Sequence, residues 1–312
     1  MLYGQKELSM KIRTYWGLSY GHHDAAVVVV RDNKIVFAER AQAKDLNDDV
    51  LKSLNFAYPP KQIYIHENKR RDAWRKIKSG DWSRLIVTKP WMPIAPVYGN
   101  HHLSHAAAGY YTSGFNDALV VVADAIGELE SLAIYKAHEG KLNTNPLFVL
   151  KYPHSLGLFY SYHVAMIGLK PNQDESVMMR MSRQSTCVEY HKVVDTVDVD
   201  TPYFHTKKNF HLYPDIIQDD IEKKWIAATA QHVLEQYFVD LIRRFTQGRK
   251  TNIVFTGGVA YNSFVVDRIQ GISRRNTIYV PSHPGDAGSA LGAILQHTHQ
   301  HIELKDGKIF QK

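Results

Sequence analysis

The sequence predicts an α/β protein built from two similar lobes, and two observations carry this prediction. Strand-like apolar runs alternate with helix-like segments along most of the 312 residues. A strand followed by a hairpin occurs twice, first in residues 12–39 and again in residues 118–150. Two such units are expected to pack as layered lobes with a ligand-binding cleft between them. The alternative is one α/β domain with two unrelated hairpins.

Short apolar runs define the strands of both units. In the first, "IRTYWGLS" (12–19) and "AAVVVV" (25–30) are followed by the tight turn "RDNK" and by "IVFAE" (35–39). In the second, the corresponding runs are "ALVVVADAIGE" (118–128), "SLAIYKA" (131–137) and "PLFVL" (146–150). Helices are predicted at about 100–113 and 155–168. The lobes are predicted to comprise residues 12–115 and 116–300.

The remainder of the second lobe contains one irregular stretch and a run of regular elements. Residues 171–215 mix charged, proline and aromatic residues without periodicity, which predicts an irregular insertion. Residues 216–247 have apolar positions at three- and four-residue spacing, which predicts a long amphipathic helix. The last elements are predicted as strand, helix, strand and helix, in the order "TNIVFTGG", "VAYNSFVVDRI", "NTIYVP" and "PGDAGSALGAILQH".

Composition restricts the location and the partners of the chain. The single Cys187 cannot form an intramolecular disulfide, and no apolar run is long enough to cross a membrane, so we expect a cytoplasmic protein without membrane contact. The 38 Lys and Arg residues exceed the 31 Asp and Glu residues, giving a net charge of +7. This excess indicates either an ordinary solvated surface or a polyanionic partner.

A basic stretch in residues 66–85 favours a nucleic-acid partner. Its cations are Lys69, Arg70, Arg71, Arg75, Lys76, Lys78 and Arg84. Trp74 and Trp82 lie among them. Cations neutralise phosphates and aromatic rings stack on bases, which is the combination that a nucleic-acid groove requires.

Two histidine pairs have the H-x-x-x-H spacing of helical metal sites. His101 and His105 occur in "NHHLSHAAAGYY", and His297 and His301 occur near the C-terminus. With 17 histidines in the chain, about one such pair is expected by chance. The spacing alone therefore does not identify a metal site.

Several polar residues lie where strands end or helices begin. Asp124 follows an apolar strand and Asp286 precedes a helix, so each is a metal ligand or has a structural role as a hydrogen-bond acceptor or cap. Gly257 and Gly258 either approach a phosphate closely or serve only the bend of the chain. His22, His23 and Asp24 in the first turn provide a general base or stabilise the turn.

Five segments, taken in order, resemble the O-carbamoyltransferase family. They are "GHHDAAVVVVRDNKIVFAE", "NHHLSHAAAGYYTSGFNDALVVVADAIGE", "SLGLFYSYHVAMIGLKPNQDES", "NIVFTGGVAYN" and "PSHPGDAGSALGA". The family includes nodulation-factor, aminoglycoside and cephem carbamoyltransferases, and the resemblance covers about residues 12–297. It implies a duplicated actin/Hsp70-like (ribonuclease-H-like) fold of two lobes.

The resemblance also implies roles for individual residues. A divalent metal, Fe²⁺ first and Mn²⁺ or Zn²⁺ as alternatives, would be bound by His101, His105, Asp124 and Asp286. The adenylate would contact Asp124, Gly127, Glu128, Gly257, Gly258 and Asn262. His23 matches the N-terminal catalytic histidine of the family, and Lys44 is similar to a lysine that follows its acidic stretch. The pair His297 and His301 matches no motif of the family.

The family reaction has two steps. Carbamoyl phosphate and ATP give carbamoyladenylate, and a substrate hydroxyl then takes the carbamoyl group while AMP leaves. The usual D-G-x-G-E motif is here "DAIGE", and the C-terminal domain that forms carbamoyladenylate in the family is not found in this sequence. We therefore expect either both steps in the two lobes or a separate protein that supplies carbamoyladenylate.

The acceptor is expected to be the hydroxymethyl group of 5-hydroxymethylcytosine in DNA, on which viral members of the family act. The net charge and the basic stretch favour this acceptor, and its base would have to be flipped out of a duplex or presented in a single strand. The alternatives are a small metabolite or antibiotic, tRNA threonylcarbamoyl transfer, and a non-catalytic nucleotide-binding scaffold.

Overall fold

Two mixed sheets with the same strand arrangement form the centre of the molecule. The computed structural model describes residues 13–20, 24–42, 46–68, 73, 91–212, 214–272 and 277–310. The first sheet has the order β3-β2-β1-β4-β5, and its strands are β1 (Thr14–Ser19), β2 (Asp24–Arg31), β3 (Lys34–Gln42), β4 (Gln62–Ile65) and β5 (Val97–Tyr98). In this sheet β1 pairs antiparallel with β2 and parallel with β4.

The second sheet repeats this arrangement. Its order is β13-β12-β6-β7-β8, with β9 also paired to β7. Its strands are β6 (Ala118–Gly127), β7 (Glu130–His138), β8 (Lys141–Leu142), β9 (Phe148–Lys151), β12 (Asn252–Thr256) and β13 (Thr277–Tyr279). Strand β6 pairs antiparallel with β7 and parallel with β12, as β1 does with β2 and β4. The predicted duplication is therefore confirmed at the level of sheet topology.

The described helices lie close to the predicted positions where the sequence is periodic. They are α1 (Asp48–Ala57), α2 (His101–Thr112), α3 (Leu156–Met166), α4 (Glu175–Met181), α5 (His191–Val194), α6 (Asp220–Thr246), α7 (Ser263–Ile272) and α8 (Asp286–Thr298). Among them, none combines the length and the apolar character needed to span a bilayer. Helix α1 and the strands β4 and β5 were not predicted, because each is short and only partly apolar.

Helices α2 and α8 are exchanged between the two sheets. Helix α2 packs on the second sheet, where a Cβ atom at Gly109 would lie 2.6 Å from Val254 Cγ1 of β12. Helix α8 packs on the first sheet, where a Cβ atom at Gly17 of β1 would lie 1.9 Å from the carbonyl oxygen of Ala290. The residues on either side of the predicted boundary at 115 and 116 therefore do not form separately packed units, because each lobe contributes a helix to the other sheet.

The prediction of an irregular insertion over residues 171–215 is partly wrong. This segment contains α4, α5 and a two-stranded hairpin of β10 (Val197–Asp200) and β11 (Tyr203–Thr206). Phe204 of the hairpin is fully buried, with its ring centroid 5.4 Å from that of Phe159 and 5.7 Å from that of Tyr237. The elements are too short to give a periodic signal, and the buried Phe204 ring anchors the hairpin on the core.

His163 of α3 makes the stability of this core dependent on pH. It is fully buried among Phe159, Tyr162 and Phe210, and its Nδ1 donates to the Phe159 carbonyl over 2.8 Å. Burial lowers its pKa to about 4, so the imidazole stays neutral in the folded chain while the unfolded chain takes up a proton below about pH 6.5. The folded state therefore loses stability as the pH falls from about 6.5 to about 4.

We expect this loss to reach about 3 kcal/mol at pH 4, at roughly 1.4 kcal/mol for each pH unit. Urea unfolding of the wild type and of His163→Gln at pH 7 and pH 5 measures it, because glutamine keeps a donor but does not titrate. The wild type should lose about 2 kcal/mol more than the variant between these two pH values. An equal loss in both proteins would show that His163 is not held neutral.

Candidate functional site

Helix α2 carries His101 and His105 on the same face. The helix begins at His101, and the Asn100 side chain caps it by accepting from the Leu103 amide over 2.8 Å. His101 and His105 therefore lie one turn apart, and their Nε2 atoms are 3.2 Å from each other. Both rings are buried.

Two carboxylates reach these imidazoles from the second lobe. The β6–β7 ladder is interrupted between Ala123 and Gly127, which frees Asp124 to turn away from the sheet. Asp286 is the first residue of α8, behind the N-cap residue Gly285. Its carboxylate is 3.2 Å from His105 Nε2, so it belongs to the histidine cluster and does not have the capping role that the sequence left open.

The four side chains converge with the spacing of a metal site. Their candidate ligand atoms all lie within 4.8 Å of one another. His101 Nε2 is 3.3 Å from Asp124 Oδ2 and 3.5 Å from Asp286 Oδ1, and His105 Nε2 is 3.4 Å and 3.2 Å from the same two atoms. An ion about 2.0–2.1 Å from four tetrahedral ligands separates them by about 3.3 Å. The residues therefore fit a divalent cation bound by two nitrogens and two oxygens.

A backbone carbonyl fixes the tautomer of His105. The Pro284 oxygen accepts from His105 Nδ1 over 3.0 Å and also from the Gly257 amide over 2.9 Å. Because a carbonyl can only accept, Nδ1 carries a proton, and in the neutral imidazole that a metal would bind, Nε2 is the nitrogen with the free lone pair. On the other histidine, His101 Nδ1 is 3.8 Å from the buried carboxylate of Glu67. This is an ion-pair contact and is too long for a hydrogen bond.

The cluster has the electrostatics of a cation site. Burial raises the pKa of Asp124 and Asp286, but the two imidazoles outweigh it, holding the Asp124 pKa well below its usual range and the Asp286 pKa at about 2. Burial lowers the pKa of His101 and His105, but the carboxylates outweigh it and raise both, with Glu67 contributing at His101. Two ionised and partly buried carboxylates are stabilised by positive charge beside them.

Two glycines make this close arrangement possible. A Cβ atom at Gly127 would lie 2.0 Å from Cδ2 of His101, so only glycine allows the imidazole to pack on the end of β6. Gly257 has φ of +89°, and a Cβ atom there would lie 2.2 Å from the carbonyl oxygen of Ala123. Any larger residue at either position would push β6, and Asp124 with it, away from the histidines.

A cavity of about 590 Å³ opens beside the cluster. Asp124 and Asp286 line one end of it, and Gly258 and Asn262 line its wall after β12. Its volume is in the range of small-molecule sites. Part of the predicted metal set and part of the predicted nucleotide set therefore line the same cavity.

Three of the residues predicted to contact the nucleotide do not line this cavity. Gly257 lies behind it against Ala123, and Gly127 lies against His101. Glu128 is buried with a positive φ of 58°, and its Oε1 accepts from the Asn68 amide over 2.6 Å. Their contact with a nucleotide stays a prediction.

The other predicted residues lie away from the cluster or outside the described part of the chain. His22, His23, Lys44 and, within the basic stretch, residues 69–72 and 74–85 are outside the described residues. Helix α8 ends at Thr298 and His299 has a left-handed backbone, so His297 and His301 do not share a helix face. The ring of His297 stacks on Tyr64 with centroids 4.9 Å apart.

Sequence reasoning missed several residues of the cavity. Arg40 of β3, from the first lobe, is the one cation among the described lining residues. Tyr160 of α3 also lines the cavity, and its hydroxyl donates to the buried Gln231 of α6 over 2.7 Å. A polar residue on the apolar face of α6 was the available signal for Gln231.

Residues 64–295, more than half of the chain, match the family model described as Carbamoyltransferase N-terminus. The nodulation protein NolNO of Sinorhizobium fredii is 25% identical over 328 residues, covering 89% of this chain and 46% of that protein. The uncharacterised protein sll1178 of Synechocystis sp. is 27% identical over 242 residues, covering 69% of this chain and 38% of that protein. The chain thus spans less than half the length of these curated relatives.

Two solved structures share the fold. The activator of the 2-hydroxyisocaproyl-CoA dehydratase from Clostridium difficile, with bound ADPNP, has a TM-score of 0.51 and 16% identity over 92% of this chain and 95% of that one. Component A of the (R)-2-hydroxyglutaryl-CoA dehydratase from Acidaminococcus fermentans has a TM-score of 0.52 and 16% identity over 92% of this chain and 99% of that one. At this identity the likeness concerns the fold alone. It confirms the actin/Hsp70-like class.

Proposed function

The chain belongs to the carbamoyltransferase N-terminal family, and from this membership we propose that it transfers a carbamoyl group from carbamoyl phosphate, through carbamoyladenylate, to a hydroxyl group. One observation carries the proposal. The cluster of His101, His105, Asp124 and Asp286 lies at the end of a cavity that is large enough for a small-molecule donor. A cation site next to a ligand cavity is what transfer from a phosphate-bearing donor requires.

In the transfer step the acceptor oxygen attacks the carbonyl carbon of carbamoyladenylate. A carbon–oxygen bond forms to the acceptor, the bond from that carbon to the phosphate oxygen breaks, and AMP leaves with the bonding electrons. The hydroxyl proton goes to a general base. His23 is the residue proposed for this base, on the resemblance described above.

The described residues have separate tasks in this scheme. A divalent cation on the four ligands, Fe²⁺ in the first instance, would neutralise phosphate charge and polarise the carbonyl. Arg40 would provide a second positive charge from the opposite lobe. Gly258 lines the cavity and leaves room for close approach to its backbone, while Asn262 and Tyr160 provide polar groups along the wall.

A nucleotide in this cavity has independent support from the fold. The structure of the similar dehydratase activator contains ADPNP. The present chain shares that fold and has glycines after β12. We therefore propose ATP and carbamoyladenylate as its ligands.

For the acceptor we propose the hydroxymethyl group of 5-hydroxymethylcytosine in DNA. The net charge of +7 supports a polyanionic substrate. A small hydroxylated metabolite is the competing acceptor. The two differ in their response to salt. Binding to DNA phosphates releases counterions, so the affinity for DNA falls as the salt concentration rises, whereas binding of a neutral molecule releases none.

Mass spectrometry of nucleosides tests the proposal. The chain is incubated with hydroxymethylated DNA and a donor, given either as carbamoyl phosphate with ATP or as preformed carbamoyladenylate, and the DNA is then digested. We expect a carbamoylated 5-hydroxymethyl-2′-deoxycytidine, and we expect the apparent DNA affinity to fall by about tenfold or more between 50 and 200 mM salt.

Unmodified cytosine DNA is the matched control, because it lacks the accepting hydroxyl. Turnover with carbamoyladenylate alone would assign only the second step to this chain. If neither donor gives a product on DNA, the DNA acceptor is wrong. Carbamoylation of a small alcohol under the same conditions would then favour the metabolite.

A further inference from the structure

A buried hydrogen-bond network lies behind the cavity wall. Tyr160 and Asn262 line the cavity, and both contact Gln231 of α6, which does not line it. The Tyr160 hydroxyl donates to Gln231 Oε1 over 2.7 Å, and Asn262 Nδ2 donates to the same oxygen over 2.9 Å. The two wall residues are therefore held by one amide.

The Gln231 amide has every hydrogen-bonding position filled. Its oxygen accepts the two bonds from Tyr160 and Asn262, and its Nε2 donates to Asn262 Oδ1 over 3.1 Å and to Glu235 Oε1 over 3.0 Å. An ionised carboxylate cannot donate, so Nε2 and not Oε1 must face Glu235. The Glu235 carboxylate thus determines which way the Gln231 amide points.

The orientation of the Gln231 amide determines the orientation of the Asn262 amide at the cavity wall. Asn262 forms a reciprocal amide pair with Gln231, and its Oδ1 also accepts from the Val265 amide over 3.2 Å. If Gln231 rotated by half a turn, its amide would oppose like groups on Asn262. Both acceptor positions of Asn262 Oδ1 are thus filled, and one Nδ2 hydrogen remains to donate, while the Tyr160 oxygen, whose hydrogen goes to Gln231, can accept.

The Glu235 carboxylate is itself held from outside. Arg183 donates to Glu235 Oε1 over 2.8 Å, and its guanidinium lies 4.1 Å from the centroid of the Phe264 ring. Glu235 is only 8% exposed, whereas the Arg183 side chain is 54% exposed. The network therefore runs from the surface, through α6, to the cavity.

The same part of the cavity has apolar surface beside these polar groups. Met179, Leu234 and Val259 line it together with Tyr160 and Asn262. Apolar contact combined with a few oriented hydrogen-bonding groups is suited to a heterocyclic base, whose faces are apolar and whose edge is polar. Bases differ mainly in the order of donors and acceptors on that edge.

We infer that Glu235 and Gln231 are positioning residues that determine the nucleobase preference of the cavity, by fixing the hydrogen-bonding polarity of Asn262 and Tyr160. The inference rests on the proposed function, because it takes a nucleotide as the ligand. Neither positioning residue touches the ligand. Their effect is on the choice between bases, since a misdirected donor or acceptor leaves a polar group of one base unpaired.

Glu235→Gln tests the inference with little change in size. A glutamine can present either a donor or an acceptor to Gln231, so the direction of the Gln231 amide is no longer imposed. We expect the wild type to bind ATP at least about tenfold more tightly than GTP, and the variant to reduce this ratio by about tenfold, the effect of one mismatched hydrogen bond. Isothermal titration calorimetry with ATP and with GTP measures both dissociation constants.

Glu222→Gln is the matched control on the same helix. Glu222 also accepts from a tyrosine hydroxyl, that of Tyr190 over 2.7 Å, and pairs with Lys192, but neither partner is among the described residues that line the cavity. The Glu222→Gln variant should therefore leave the ratio unchanged. Arg183→Met is a milder second variant that releases only the outer end of Glu235, and it should lower the ratio without removing a buried group.

The outcomes separate this inference from the proposed function. A wild type that binds neither nucleotide overturns the nucleotide site and the inference with it. A wild type that binds ATP but shows no preference over GTP, or a Glu235→Gln variant that keeps the preference, overturns the inference alone. Melting temperatures show whether each variant is folded. If Glu235→Gln is not, the ratio of ATP to GTP affinity in Arg183→Met decides the test.

Discussion

Replacing His101 with alanine is expected to abolish both metal binding and carbamoyl transfer. His101 Nε2 lies within 3.2–3.5 Å of His105, Asp124 and Asp286, so its loss removes one of four ligands and leaves two partly buried carboxylates facing one imidazole. We expect turnover to fall by about three orders of magnitude, as when a main source of electrostatic stabilisation is lost. Metal content by mass spectrometry and the nucleoside assay measure the two effects.

His301→Ala is the matched control, because His301 belongs to the other H-x-x-x-H pair. Its side chain is exposed and its Nε2 contacts the Gly140 carbonyl at 3.0 Å. This variant should keep metal and turnover at wild-type levels. Wild-type metal affinity in a folded His101→Ala protein would contradict the assignment of His101 as a ligand.

Replacing Gly292 with alanine is expected to cause a large loss of stability. Gly292 of α8 faces α2, and a Cβ atom there would lie 1.8 Å from the carbonyl oxygen of Ser104. Because that neighbour is backbone, the two helices must separate. We expect a loss of about 3 kcal/mol in the free energy of unfolding, at the upper end of the range for overpacked sites. Urea unfolding measures it.

The same substitution should also weaken metal binding. Helix α2 carries His101 and His105, and α8 carries Asp286, so any separation of the helices moves ligands of opposite sign apart. Titration of the folded variant with Fe²⁺ should therefore show a raised dissociation constant.

Gly271→Ala is the control, with the opposite expected sign. Gly271 is also helical, in the last turn of α7, but a Cβ atom there would meet none of the described residues within 4 Å. Alanine should stabilise this position by about 0.5–1 kcal/mol, because it lowers the entropy of the unfolded chain. Equal effects at the two glycines would show that the contact between α2 and α8 is not as close as described.

The sequence predicted the parts of the fold that have a local periodic signal. The valine-rich strands β2 and β6 and the amphipathic helix α6 are long and strongly patterned, and the structure contains all three near their predicted bounds. The exchange of α2 and α8 between the sheets could not be predicted, because it depends on contacts between elements that are far apart in the sequence. Close approach at Gly17, Gly109 and Gly292 selects the observed packing, and no spacing in the sequence encodes it.

Some residues of the candidate site could be predicted from the sequence, and others could not, because only tertiary packing brings them to the site. His101 and His105 share a helix face by their spacing alone, and the order of motifs added Asp124 and Asp286. Arg40 comes from the opposite lobe and lies in no motif that was assigned to binding. Gln231 and Glu235 act from behind the wall, where only the packing of α6 brings them to Asn262.

Anomalous X-ray diffraction from crystals of the metal-loaded chain locates the ion itself. We expect one strong peak, at coordination distance from His101 Nε2, His105 Nε2 and one carboxylate oxygen each of Asp124 and Asp286. A peak bound by other residues, or no peak in crystals that were grown with the metal, would contradict this expectation.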